Sequence, residues 1–225
     1  MRTSPCVVLL FAFLSSPAWG QRCLGHETFV KAPFHFGGGI DVDTYAQTYG
    51  VDLRYGRAGV FGIAEAALKT WGVETFNNES QKLGATVGVA FSRSEMSRFS
   101  VCPAVSYRVF DGPDKGDFIS PYYHENMFSG SVSAGYLLSQ SKAWGIVPTL
   151  SLEMGTTNPT MTMNPYVGSA VKTFCCGPRG FTTITTGVGL TLGRAATVMP
   201  TVAIPLDEAG EIAYSFHLEI VLGRD

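Results

Sequence analysis

The segment EIAYSFHLEIVL, residues 211 to 222, places an apolar side chain at every second position: Ile212, Tyr214, Phe216, Leu218, Ile220 and Leu222. The positions between them include Glu211, Ser215, His217 and Glu219. A repeat of two residues is the mark of a β-strand with two unlike faces. The segment FTTITTGVGLTL does the same, with Ile184, Val188, Leu190 and Leu192 on one face and Thr183, Thr185, Gly187, Gly189 and Thr191 on the other.

Read in this way, the chain predicts about ten strands, at 29–37, 45–55, 60–71, 83–92, 99–110, 127–138, 144–154, 182–192, 197–206 and 211–222, with eight as the lower count. Most have about the 9 to 11 residues that a tilted strand needs to cross a bilayer. The GGG at 37–39 reads as a turn. Short connections at 56–59, 93–97, 139–143 and 193–196 alternate with longer loops at 72–82, 111–126 and 155–181. That alternation is the plan of an up-and-down transmembrane barrel, with the short turns in the periplasm.

The hairpins 83–110, 127–154 and 182–206 form an internal repeat, each with a proline soon after its short turn: Pro103, Pro148 and Pro200. A proline gives a ladder no donor, so each needs a bulge or a nearby interface to absorb the loss.

Alternation alone does not say which face meets water. The second face does, because a watery exterior needs Lys, Glu, Asn and Gln. Here it holds Gly84, Thr86, Gly88 and Ala90, then Ser129, Ser131, Ser133 and Gly135. Charged residues are 15% of the chain, against about 25% in typical soluble domains. Lipid outside and a crowded, small-residue lumen inside is the leading reading. A soluble secreted ligand-binding barrel is the alternative fold.

Residues 1–20 have the form of a secretory signal peptide: Arg2, an apolar run from Val7 to Leu14, then SSPAWG. The expected layout is a periplasmic N-terminal tail at 21–28, the barrel at 29–222 and a C-terminal tail at 223–225. No other segment approaches the roughly 20 apolar residues of a membrane helix. A formal charge of −2 leaves no basic excess for nucleic acid.

Together, the leader, the alternating segments and the repeated hairpins resemble the small bacterial outer-membrane β-barrel proteins. The resemblance is one of pattern across 29–222 and implies an all-β, antiparallel fold in the outer membrane, with lipid and lipopolysaccharide as surroundings. The sequence departs from the family at its end, where Leu222 is followed by GRD and not by a terminal aromatic residue.

By parity, the charges facing the lumen are Lys31, His35, Asp52, Arg54, Glu65, Lys69, Arg108, Glu153, Glu211, His217 and Glu219. They line a selective path or form salt bridges that fill the interior; ten strands with mixed signs favour filling. The expected role is therefore structural or that of a narrow passive pore. Loop aromatics and aliphatics, Phe118, Ile119, Tyr122, Tyr123, Tyr166 and Phe174, give the other functional reading, adhesion or ligand capture.

No enzyme is expected. The one local cluster, His124, Glu125 and Ser129, has no spacing that forces nucleophile and base together. No paired C-x-x-C and no glycine-rich phosphate loop before a helix occurs, so neither metal nor cofactor is expected.

Export into an oxidising compartment makes the cysteines disulfide candidates. Cys23 and Cys102 lie at the same, short-turn end, whereas Cys175 and Cys176 lie a bilayer away, beyond bridging distance. A Cys23–Cys102 bridge tying the tail to the barrel base is one outcome; an unpaired Cys23 with Cys102 as a small filler is the other. Cys175 and Cys176 are joined to each other or free.

Overall fold

The computed structural model describes residues 22–25, 34–42, 46–57, 59–71, 79–92, 97–112, 122–141, 143–163, 172–175, 177–192, 195–207 and 211–222. Among them a single 3-10 turn, Arg22–Leu24, precedes thirteen strands. These are β1 (Phe34–Val42), β2 (Ala46–Arg57), β3 (Val60–Trp71), β4 (Glu79–Val89), β5 (Phe91–Ser92), β6 (Phe99–Asp111) and β7 (Tyr122–Tyr136). The rest are β8 (Ser139–Gln140), β9 (Trp144–Met163), β10 (Lys172–Cys175), β11 (Arg179–Leu192), β12 (Ala196–Pro205) and β13 (Ala213–Leu222).

β4 and β5 are two parts of one barrel strand, as are β7 and β8, while β10 folds back on the far end of β9. The others run as an antiparallel meander, β1–β2–β3–β4–β6–β7–β9–β11–β12–β13, and β13 pairs with β1. The sheet is thus a closed barrel of ten strands with no open edge in its wall. Following paired residues once around advances the register by about twelve residues, which for ten strands tilts them by roughly 40°.

The faces sort as the alternation requires, and inside-out relative to a soluble protein. Tyr214, Phe216, Leu218 and Ile220 of β13 are exposed, and Glu219 between them is 1% exposed. On β9 the exposed set is Trp144, Leu150, Leu152 and Met154.

Two expectations need correcting. The first strand does not run from 29 to 37; it begins at Phe34 and continues through the three glycines to Val42. Gly37 and Gly39 are wall positions, not a turn. A Cβ on Gly37 would stand 2.5 Å from His217 Nε2 and 2.9 Å from Asp52 Oδ2, so only a hydrogen fits. The segment 155–181 is not a plain loop either, since β9 runs twenty residues to Met163 and β11 already starts at Arg179. Beyond Met154 the outward side chains change from apolar to Thr156 and Asn158 while the strand continues. An apolar count therefore ends where the polarity changes, not where the strand does.

The three prolines fall where the ladder breaks. Opposite Pro103 the pairing stops between β4 and β5 and resumes in the same register, Gly88 with Ala104 and then Phe91 with Val101. Opposite Pro200 the β11–β12 ladder skips from Gly187–Thr201 to Leu190–Val198, also without a shift. At Pro148 the register slips by one, from Gly135–Thr149 to Ser139–Ile146, so Tyr136 to Leu138 face Val147 and Pro148 across a bulge. All three breaks lie toward the short-turn end, where the missing donors are absorbed by interruptions of the pairing.

Candidate functional site

The lumen collects the charged side chains of the wall into two clusters. The first joins β13, β1 and β2. Glu219 is held between His35 (Nδ1 to Oε1, 2.6 Å) and Arg54 (Nη1 to Oε2, 2.9 Å). The Arg54 Nε donates to Asp52 Oδ1 at 2.8 Å, and His217 Nε2 lies 3.0 Å from Arg54 Nη2 and 3.1 Å from Asp52 Oδ2. Every member alternates with outward apolar residues on its strand, so the period of two alone brings them inside.

The second cluster spans β3, β4, β6, β7 and β9. Arg108 donates from Nε to Glu65 Oε1 at 2.9 Å and from Nη1 to Glu153 Oε1 at 2.6 Å. Lys82 Nζ donates to Glu65 Oε2 at 3.1 Å, and the Ser129 hydroxyl donates to Glu153 Oε1 at 2.5 Å. Lys82 was missed by the sequence reading because the predicted strand began one residue later, at 83; its even parity matches Gly84 and Thr86.

Both clusters hang on one row of directly opposed wall residues: Glu219, Gly37, Asp52, Glu65, Gly84, Arg108 and Met127. The two glycines leave room for long side chains. A Cβ on Gly84 would overlap the Glu65 carboxylate, as one on Gly37 would crowd His217 and Asp52. The charges and the glycines beside them are one packing solution.

Across the barrel the wall is neutral and small: Ser131 and Ser133 on β7, Thr183, Thr185, Gly187 and Gly189 on β11, Thr201 on β12. At the short-turn end this side meets residues 22–25, which lie inside the barrel and not in a free tail. Cys23 and Cys102 form a disulfide with Cα atoms 5.8 Å apart, and the Cys23 N–H donates to Ser100 Oγ at 2.8 Å. A Cβ on Gly135 would overlap the Arg22 carbonyl, and one on Gly189 would overlap the Gly25 carbonyl. The segment therefore crosses the base from β6 and β7 to β11. Cys23, Phe61, Ala90 and Cys102, with Leu24, Ile63 and Ala104 against them, make an apolar floor there.

The other predicted residues fare differently. Lys31 lies outside the described residues. Lys69 sits in β3 opposite Thr48 and Ser80. Glu211 is not a lumen residue: β13 starts at Ala213, and Glu211 is exposed ahead of it. Phe118, Ile119 and Tyr166 lie outside the described residues. Tyr122, Tyr123 and Phe174 belong to strands and not to loops, Tyr122 and Tyr123 at the head of β7 and Phe174 opposite Met161 in β10.

His124 and Ser129 take opposite faces of β7. His124 Nδ1 pairs outside the barrel with Asp111 Oδ1 at 2.5 Å, while Ser129 faces Glu153 inside. Among the described residues no group of three or more His, Cys, Asp or Glu is placed to hold a metal ion.

No family model matches the chain, and no curated protein matches it in sequence. Among solved structures it is similar to the β domain of the Bordetella autotransporter Brka, with a TM-score of 0.46 and 10% identity over 84% of this chain and 98% of that one. The KdgM porin gives 0.38 and 9%, covering 84% and 99%. The transport unit of the autotransporter AIDA-I from Escherichia coli gives 0.38 and 13%, covering 84% and 89%. Likeness this loose assigns no family; the barrel rests on its own strand pairing, which closes from β13 onto β1.

Proposed function

We propose that the protein is an integral outer-membrane barrel with a structural role, whose lumen is filled at mid-height and floored at its periplasmic end. The observation that carries this reading is the outer face of the wall. On β9 the outward side chains from Trp144 to Met154 are apolar and largely exposed. Those roughly ten residue steps, at about 3.3 Å each and tilted by about 40°, give a belt roughly 25 Å tall, the height of the apolar band on an outer-membrane barrel. Phe34, Tyr55, Phe99, Tyr136 and Trp144 ring its lower edge, as an aromatic girdle would. Lipid and lipopolysaccharide are its partners in this reading.

The interior supports a structural role over a conducting one. Its charges are paired with one another, Arg54 with Glu219 and Arg108 with Glu153 each reaching over one intervening strand, and residues 22–25 lie across the base. The proposal includes no catalysis, consistent with His124 and Ser129 on opposite faces of β7.

The test has three readouts, one on the cell envelope and two on the purified protein. It should fractionate with the outer membrane and shift its gel mobility on heating, and in planar bilayers it should conduct little. Large, steady conductance would refute the filled lumen; a protein that stays soluble would refute the membrane assignment.

A second reading, contact with a surface partner, is favoured by one feature. β9 and β10 extend the wall past the belt, where Thr156 and Asn158 face outward.

A further inference from the structure

Resting on the membrane reading above, we infer that the outer wall of β6, β7 and β9, just beyond the apolar belt, holds the sugar headgroup of an outer-leaflet glycolipid through amide and hydroxyl groups.

The upper edge of the belt is marked by tyrosines. Tyr49, Tyr107 and Tyr214 are 49%, 49% and 60% exposed on the outer face. With about 3 Å gained per strand crossed and about 2.5 Å per residue along the tilted wall, all three stand within about 2 Å of the height of Met154. Tyrosine suits such a boundary because its ring is apolar and its hydroxyl polar. Each of two hydroxyls donates to an amide one outward position farther from the belt, Tyr49 to Gln47 Oε1 at 2.6 Å and Tyr107 to Asn126 Oδ1 at 2.7 Å.

Beyond Tyr107 the hydrogen bonds continue. Asn126 Nδ2 lies 3.0 Å from His124 Nε2, and His124 Nδ1 lies 2.5 Å from Asp111 Oδ1. An amide NH2 only donates, so Nε2 accepts, and the imidazole proton sits on Nδ1 and is donated to the carboxylate. The chain from Tyr107 to Asp111 therefore runs in one direction and holds four side chains in place. On the next strand Asn158 stands directly opposite Asn126 and Thr160 opposite His124, with Asn158 and Thr156 exposed. By the same geometry this group lies about 5 to 12 Å beyond Met154. In a bilayer that is the headgroup layer, since the hydrocarbon ends with the belt.

The chemistry selects the kind of headgroup. Beyond the belt, the described outward residues of these three strands include asparagine, threonine, histidine and one aspartate, but no lysine or arginine. Those cations are what a phosphate needs, and Asp111 would repel one. Sugar hydroxyls and N-acyl groups fit instead, because they both donate and accept. Asn126 keeps one amide hydrogen and one oxygen lone pair beyond the bonds just described, and Asn158 offers a second amide across the ladder. Below them Phe128 and Met154, 58% and 56% exposed, are placed for the acyl chains of the same lipid. Head and tails thus meet matching surface on one strip of wall.

The experiment folds the protein into phosphatidylcholine vesicles that carry a trace of an N-acylglucosamine lipid with a photoreactive diazirine on its sugar. After illumination the labelled peptides are mapped. Label should concentrate on residues 107–111, 124–128 and 156–160; unlabelled lipopolysaccharide in excess should displace it, and phosphatidylglycerol in equal excess should not. Water-soluble N-acetylglucosamine with the same diazirine should leave the patch unlabelled; label from it would refute a lipid headgroup as the occupant. Asn126→Leu and Asn158→Leu, each checked for folding by heat-modifiable mobility, should lower the yield about fivefold, the effect of one lost hydrogen bond. Label spread evenly around the wall, or unchanged in both variants, refutes the site and leaves the barrel standing. Displacement by phosphatidylglycerol as well refutes recognition of the sugar. A protein that does not float with the vesicles refutes the membrane reading itself.

Discussion

The cluster around Glu219 and the cluster around Arg108 are anchored on the same row of the wall, yet the heart of one is drier than the heart of the other. Glu219 and His35 are 1% and 3% exposed as side chains, and Arg54 and Asp52 are 10%. At the edge of this cluster His217 is 16%; in the second cluster Lys82 is 17%, and Arg108, Glu153 and Glu65 range from 21% to 25%. A charge sealed from water must find its whole compensation in protein partners, whereas one that keeps part of its hydration can lose a partner and recruit solvent. The dry cluster has five interlocked members on three adjacent strands. The wet one reaches across more strands with fewer contacts each. Enclosure, more than the number of ion pairs, sets what each cluster contributes.

That contrast is broken or sharpened by four substitutions, each read as the change in unfolding free energy from a urea titration of the folded barrel. Arg54→Met should be the most damaging, at about 3–5 kcal/mol, because it takes the guanidinium from Glu219 and Asp52 where water cannot replace it. A smaller loss than at Arg108 would overturn the comparison. Gly37→Ala should follow at about 1–3 kcal/mol, since the new methyl meets the His217 ring, which is fixed by its neighbours. Arg108→Met should cost about 1–2 kcal/mol, less than Arg54→Met although it also breaks two ion pairs. Lys82→Met should be the mildest, about 0–1 kcal/mol, and its effect should vanish in about 1 M salt, whereas that of Arg54→Met should persist.

The barrel itself was legible because lipid and lumen demand opposite side chains at successive positions. β13 announces this in one line of sequence, from Ile212 to Leu222. What was not legible has two causes: residues chosen by something other than the alternation, and strand ends set a residue or two off. Gly37 and Gly39 look like a turn because glycine usually marks one; here they yield space to His217 and Asp52, whose approach no single-strand reading contains. The upper half of β9 looks like a loop because beyond Met154 the outward positions turn polar, at Thr156 and Asn158, and Gly155 and Pro159 interrupt the other set. Lys82 was lost to a boundary one residue late, and Glu211 was gained by carrying a parity two residues past the strand. The disulfide was within reach because topology alone put Cys23 and Cys102 at one end. That the tail would lie inside the base required the seats at Gly135 and Gly189, which the sequence shows only as two more small residues.

The unbroken length of β9 has a mechanical consequence. A flexible loop of the same size would spend a tug on its tip in uncoiling. β9 instead runs from the short-turn end to Met163 as one element, and along it β11 is paired at every residue from Arg179 to Leu192. On its other side β7 is paired continuously from Tyr122 to Gly135. A pull on the β9–β10 hairpin therefore loads two ladders in shear, with many hydrogen bonds sharing the force at once. Whatever seizes the outer tip of this wall is gripping the frame of the barrel.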